Sequence, residues 1–108
     1  MMRYVNPANV VSPRDCISNL KVIFDGGVNS FSVAEMDWTG SKVLGIRWNA
    51  ALREWDRQDK LSGLVQCLGM PTSRAYPVWF ILPDIFVTHI SQIIKEEQIR
   101  IKEAGANE

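Results

Sequence analysis

Phe31-Ser32-Val33-Ala34-Glu35-Met36-Asp37-Trp38 and Val43-Leu44-Gly45-Ile46-Arg47-Trp48-Asn49 are two alternating runs separated by Thr39-Gly40-Ser41. Successive side chains of a strand point to opposite faces, so the first run sets Ala34, Met36 and Trp38 against Glu35 and Asp37. The second places Leu44, Ile46 and Trp48 inward and Arg47 outward. A glycine-bearing turn closes such runs into a hairpin, and aromatic and β-branched residues suit paired strands. The pair is expected to bury two tryptophans on one face.

Upstream, Leu20, Val22 and Phe24 alternate in the same way and stop at Asp25-Gly26-Gly27, which predicts another strand ending in a turn. Ser12-Pro13-Arg14-Asp15 offers an N-cap, a proline at the first helical position and an acid in the first turn, the pattern of one short helical turn. Residues 1–11 have no period and read as an extended lead-in. Downstream, Ala50 to Lys60 favours a helical turn within a long loop. Leu64-Val65-Gln66-Cys67-Leu68 is expected to form a short β segment. Val78-Trp79-Phe80-Ile81-Leu82 is apolar throughout and reads as a strand covered on both sides, crossing the middle of the core. Pro83-Asp84 then opens a helix, with Phe86, Ile90, Ile93, Ile94 and Ile101 near helical spacing; residues 104–108 should fray.

Four strands, short turns and a terminal helix exclude repeated βαβ units. The expected fold is mainly β (α+β): a small curled antiparallel sheet or SH3-like barrel with a short N-terminal helical turn and a C-terminal helix. The 108 residues suffice for a single domain, and 46% hydrophobic with 22% charged residues is an ordinary globular balance. Net charge is zero, so no long-range field draws the chain toward nucleic acid or an anionic membrane. The N-terminus lacks the apolar run of a signal peptide and no stretch suits a membrane span, so a cytoplasmic protein with no membrane partner is expected.

Chemistry-bearing patterns are sparse. His89 is the sole histidine, and Cys16 and Cys67 stand 51 positions apart, so a metal site is not expected and the thiols read as ordinary reduced cysteines. Either thiol with His89 and Asp84 could form a nucleophile and base, though chance supplies such sets in any chain of this size. Glu35 and Asp37 read as solvated acids rather than a hydrolytic pair. Neither GxxxxGK[ST] nor GxGxxG occurs, so no nucleotide cofactor is expected.

Charge distribution is more informative. Residues 42–77 carry Lys42, Arg47, Arg53, Arg57, Lys60 and Arg74 against Glu54, Asp56 and Asp59, a mildly basic stretch. Aromatics interleave with it, since Arg47, Arg53, Trp55, Arg57, Arg74 and Tyr76 alternate with or flank one another, and planar groups beside cations can stack on bases or grip acidic surfaces. The loop Gly69-Met70-Pro71-Thr72-Ser73-Arg74 adds hydroxyls and an arginine that could present donors to a phosphate or carboxylate. The bland alternatives are that Trp48 and Trp79 are core residues, that Arg53 with Glu54 and Asp56 is a solvated face, and that Arg74 pairs within the chain.

Gly45-Ile46-Arg47-Trp48-Asn49, Gly69-Met70-Pro71-Thr72-Ser73-Arg74 and Pro77-Val78-Trp79-Phe80-Ile81-Leu82-Pro83-Asp84 together resemble a pattern in small bacterial proteins of no assigned activity. Ala75 stands where that pattern would have glycine. The resemblance implies a bacterial origin, in a mobile or accessory genetic context, and supplies no site.

Three functions follow in order. The first is a non-catalytic binding module, working through protein or nucleic-acid contacts of the 50–77 loop by way of Arg47, Arg53, Trp55, Arg57, Ser73, Arg74 and Tyr76. The second is a structural or regulatory protein that forms a homodimer through the C-terminal helix, whose Ile85, Val87, Ile99 and Ile101 exceed one core-facing stripe. The third is a small cysteine-dependent enzyme.

Overall fold

In the computed structural model, which describes residues 1–106, the hairpin forms as β2 (Phe31–Trp38) and β3 (Ser41–Trp48). Its turn is tighter than the three residues expected. Thr39 and Gly40 both take positive φ, 48° and 90°, and Trp38 pairs directly with Ser41. That geometry follows the natural twist of antiparallel strands. It also fixes the register, and residues directly opposite share a face. Met36 therefore faces Val43, and Ser32 faces Arg47, while Phe31 faces Trp48.

Two expectations are overturned by this register. Trp38 and Trp48 lie on opposite faces of the sheet. Arg47 is not outward in the sense of solvated, because the face it shares with Met36 is covered, leaving it 3% exposed.

The preceding strand, β1 (Ile17–Asp25), begins three residues before Leu20 and carries two register shifts, between Ser18 and Lys21 and between Val22 and Phe24. Asn19 sits at φ 54° in the first of them. The second breaks the expected common face, for Leu20 and Val22 pack with Ala34 and Met36 whereas Phe24 packs with Val33. Such bulges twist an edge strand away from further pairing.

Val78–Leu82 is not a central strand. Only Phe80 and Ile81 form β6, and it is an edge, paired with Ile46 and Gly45. The sheet order is β1-β2-β3-β6, antiparallel throughout. Among the described residues no ladder joins β1 to β6, so the sheet is open and the SH3-like closure is not seen. The class is α+β.

The Leu64–Leu68 segment forms no strand either; Cys67 alone bridges to Tyr4. Extended pairing appears later, as the small hairpin of β4 (Thr72–Ser73) and β5 (Tyr76–Pro77). Helical character in the 50–60 stretch is present as a 3-10 turn at Leu52–Asp56 and the four-residue α1 (Gln58–Leu61). The N-terminal part differs in detail: Pro7–Asn9 makes a 3-10 turn capped by Asn6, while Pro13 begins only a turn whose carbonyl accepts from Cys16 and Ile17.

Helix α2 (Asp84–Ala106) crosses one face of the sheet. Ile94 is buried against Val33 and Leu44, with Val87, Ile90, Phe31 and Ile46 around them. Gln98 reaches across to donate to the Ile23 carbonyl on β1. Residues 104–106 are the last turn of the helix; residues 107 and 108 lie outside the described residues.

The opposite face is covered by irregular chain. Val10, Ile17 and Trp79 close over Ala34 and Met36, and the Trp79 indole N–H donates to the Val10 carbonyl at 2.8 Å. Each large apolar side chain buried in this way contributes about 1.5–3 kcal/mol. Gly45 lies under Trp79 because a Cβ there would come within 3.0 Å of the Trp79 Cβ and 2.7 Å of the Met36 methyl.

Candidate binding groove

The helix covers only part of its face. Beyond Ile90 and Val87 the sheet continues as Phe31, Ile46 and Trp48, with Phe80 beside Ile46 on the edge strand. Met70 and Pro71 rise on the far side and complete a groove of about 470 Å³. Its lining is almost wholly apolar. Trp48, Met70 and Phe80 are each more than half exposed, at 55%, 56% and 56%. Single exposed apolar residues are ordinary on a soluble protein, but contiguous ones mark contact surfaces.

The aromatic floor is ordered by its own packing. Phe31 lies 5.1 Å from Phe24 and meets Trp48 edge-on at 6.3 Å, separations at which aromatic pairs attract. Trp48 is further fixed from the backbone, exchanging two hydrogen bonds with Met70 at 2.8 and 3.0 Å. Gly69 permits this approach. It takes φ 72°, and a Cβ there would lie 2.2 Å from the Trp48 carbonyl oxygen.

Trp48 and Met70 form a ridge. On its other side lies a second cleft of about 300 Å³, walled by Val28, Ala50, Leu52 and Trp55. The 3-10 turn presents Leu52 and Trp55 together because residues three apart eclipse in that geometry.

Buried charge holds the loop that builds both clefts. The Arg47 guanidinium donates to the carbonyls of Leu68, Pro71 and Val78. Burial lowers its pKa to about 10, against the opposing pull of Glu54. Glu54 is 4% exposed, and its carboxylate accepts from the backbone N–H groups of Ala51, Leu68 and Gly69 at 2.8–2.9 Å. Lys60 lies 3.3 Å from the same carboxylate and donates to the Gln66 carbonyl at 2.6 Å. Burial alone would raise the Glu54 pKa, but these donors outweigh it and hold the carboxyl below its ordinary range. A second polar knot fixes the start of the loop, where Asn49 donates to Asp25 and Gly27 and accepts from Ser32.

The residues expected to bind are thereby separated. Arg47 is a buried strut. Trp55 lines the second cleft. Arg53 and Arg57 border a smaller hollow of about 160 Å³ with Glu54, Lys60 and Leu68, and Arg57 pairs with Asp59 at 2.8 Å. Ser73, Arg74 and Tyr76 are exposed on the β4–β5 hairpin and line neither apolar cleft. Ala75 there takes φ 67°, the conformation in which glycine is unstrained.

Of the groove residues, Ile46 and Trp48 read from the sequence as inward-facing, and Met70 and Pro71 fall in the 69–74 loop whose hydroxyls and arginine, not its apolar side chains, are the expected contacts, while Phe31 and Phe80 carry no site expectation. A two-residue turn at Thr39-Gly40 was the available signal, since counting back from it separates Trp48 from Trp38. No sequence signal located Met70, whose place depends on the buried side chains of the loop.

Cys67 is fully buried, and burial with the nearby Glu54 charge raises its thiol pKa despite Lys60. His89 is exposed on α2, on the opposite side of the sheet from the loop that carries Cys67. Among the described residues no three His, Cys, Asp or Glu side chains gather as a metal site requires, and no helix is long and apolar enough to cross a membrane. Comparison with protein-family models, curated proteins and solved structures finds no match to this chain.

Proposed function

We propose that the chain is a non-catalytic binding module that holds an apolar segment of a protein partner in the groove beside Trp48. The observation that carries this reading is the exposure of Trp48, Met70 and Phe80 side by side on hydrogen-bonded backbone. Aromatic and methionine side chains of this kind dominate the centres of protein interfaces, and their preorganisation lowers the entropy cost of binding.

Protein is favoured over nucleic acid by the placement of the cations. The groove holds one, Arg47, whose donors are committed to backbone carbonyls, so stacked bases would lack a phosphate grip there. The buried, raised thiol of Cys67 is the reverse of what a cysteine nucleophile needs, which weighs against Cys67 in the cysteine-enzyme reading. Free thiols at Cys16 and Cys67 fit a reducing compartment, and a bacterial cytoplasm is the proposed setting.

The test is capture from a bacterial lysate by the wild type, by a Trp48→Ser/Phe80→Ser variant and by an Arg53→Ala/Arg74→Ala variant, each verified as folded by thermal melting. Capture lost only by the groove variant, and indifferent to nuclease, is expected. Loss in the arginine variant with nuclease sensitivity would replace this reading with nucleic-acid binding.

A further inference from the structure

Three cations border the hollow of about 160 Å³ beside Glu54 and Leu68: Arg53 from the 3-10 turn, Arg57 from the residue that joins this turn to α1, and Lys60 from α1 itself. Their donors are only partly used. An ammonium carries three N–H groups. That of Lys60 is buried, meets the Gln66 carbonyl at 2.6 Å and Glu54 at 3.3 Å, and has no further acceptor among the described residues. Arg57 gives Nε and one terminal nitrogen to Asp59, and its other terminal nitrogen has no acceptor among them. Arg53 is exposed and forms no ion pair among the described residues, not even with Asp56 three positions on.

The acid in the wall does not cancel this supply. Glu54 commits both carboxylate oxygens to backbone N–H groups, Oε1 to Ala51 and Gly69 and Oε2 to Leu68, with Lys60 beside Oε2. Glu54 and Asp59 offset two of the three positive charges, so Arg53 leaves an excess of one at the hollow. Buried polar groups ordinarily find partners for their donors, and the space that the Lys60 side chain borders is this hollow. Its volume is below the roughly 300–1,000 Å³ of a pocket for a drug-sized ligand, so it suits a small group.

We propose that the hollow is a binding site for a small oxyanion of the phosphate class, held by Arg53, Arg57 and the remaining N–H of Lys60. Guanidinium groups grip such anions through charge-assisted hydrogen bonds, and an ammonium adds a point charge. The site shares no lining residue with the apolar groove, and neither reading depends on the other.

Amide chemical shifts of the full chain, followed as inorganic phosphate is added at constant ionic strength, test this with the wild type, Arg53→Gln and Arg74→Gln. Both replaced side chains are exposed, and the dispersion of each spectrum reports that the variant folds. Saturable shifts centred on Arg53, Arg57, Lys60 and Leu68 are expected in the wild type. Loss of one charge-assisted bond should weaken the apparent affinity of Arg53→Gln by about tenfold. Arg74→Gln should bind as the wild type does, because Arg74 lies in the turn between β4 and β5 and does not border the hollow. A wild-type spectrum that phosphate does not move, or shifts that saturate alike in the wild type and Arg53→Gln, overturns the proposal.

Discussion

Glu54 carries more of the loop than any other single side chain, since its carboxylate joins Ala51 at one end of the 51–69 segment to Leu68 and Gly69 at the other. Replacing it with glutamine removes the charge, forces an N–H₂ toward backbone donors and leaves Lys60 buried without its counter-ion. Loss of one partner of a buried pair costs on the order of 3–5 kcal/mol, so Glu54→Gln should lower chemical-denaturation stability by about 3 kcal/mol. The sign of the pH effect follows from the lowered carboxyl pKa. Glu54 contributes its full stabilisation above the ordinary value of 4.5 and loses it as pH falls through its folded value. The variant should therefore lose part of the acid sensitivity expected of wild-type melts below pH 5, and an unchanged pH profile would contradict this role. Arg47 was legible as a charged residue on a strand but not as a strut, because alternation gives only the face. Whether a face meets water or chain depends on segments distant in sequence.

At the scale of elements, the β2–β3 hairpin and α2 were legible because period, turn chemistry and residue type agree within each segment. What was lost is register and edge. A turn of two residues instead of three moves Arg47 to the Met36 face, and the bulge between Val22 and Phe24 sends Phe24 to the other side. The apolar run Val78–Leu82 looked central because both alternations were hydrophobic. In fact Trp79 faces the core on one side, and Phe80 faces the groove on the other. The close contact at Gly45 gives a test of the register itself. Gly45→Val would drive side-chain atoms into Trp79 and Met36, and overpacking of this kind costs roughly 1–3 kcal/mol. A register that left Gly45 on the helix face would not produce the accompanying change in Trp79 fluorescence, which distinguishes the two pairings in one measurement.

On the scale of the whole molecule, the sheet is dressed differently on its two sides. One carries a continuous helix of 23 residues, the other a loop layer with two-residue strands and isolated bridges. Local opening free energies follow such differences in hydrogen bonding and packing. Amide exchange is expected to be slowest in β2 and β3 and at least about tenfold faster across residues 58–76, with the loop amides exchanging as a group. Uniform protection across both regions would mean that the loop layer opens only when the sheet does. The candidate site itself was the least legible part of the chain, since its floor comes from the hairpin and its wall from Met70 and Pro71, joined only by folding.

That divided construction ties recognition to an equilibrium inside the protein. Met70 and Pro71 stand beside Trp48 only while the loop is docked, so the undocked fraction of molecules offers half a groove. Apparent affinity for any occupant is the intrinsic affinity scaled by the docked fraction, and the occupant in turn holds the loop in place. Protonating Glu54, which does not line the groove, would act as an antagonist: it would empty the groove by depopulating the state that has one.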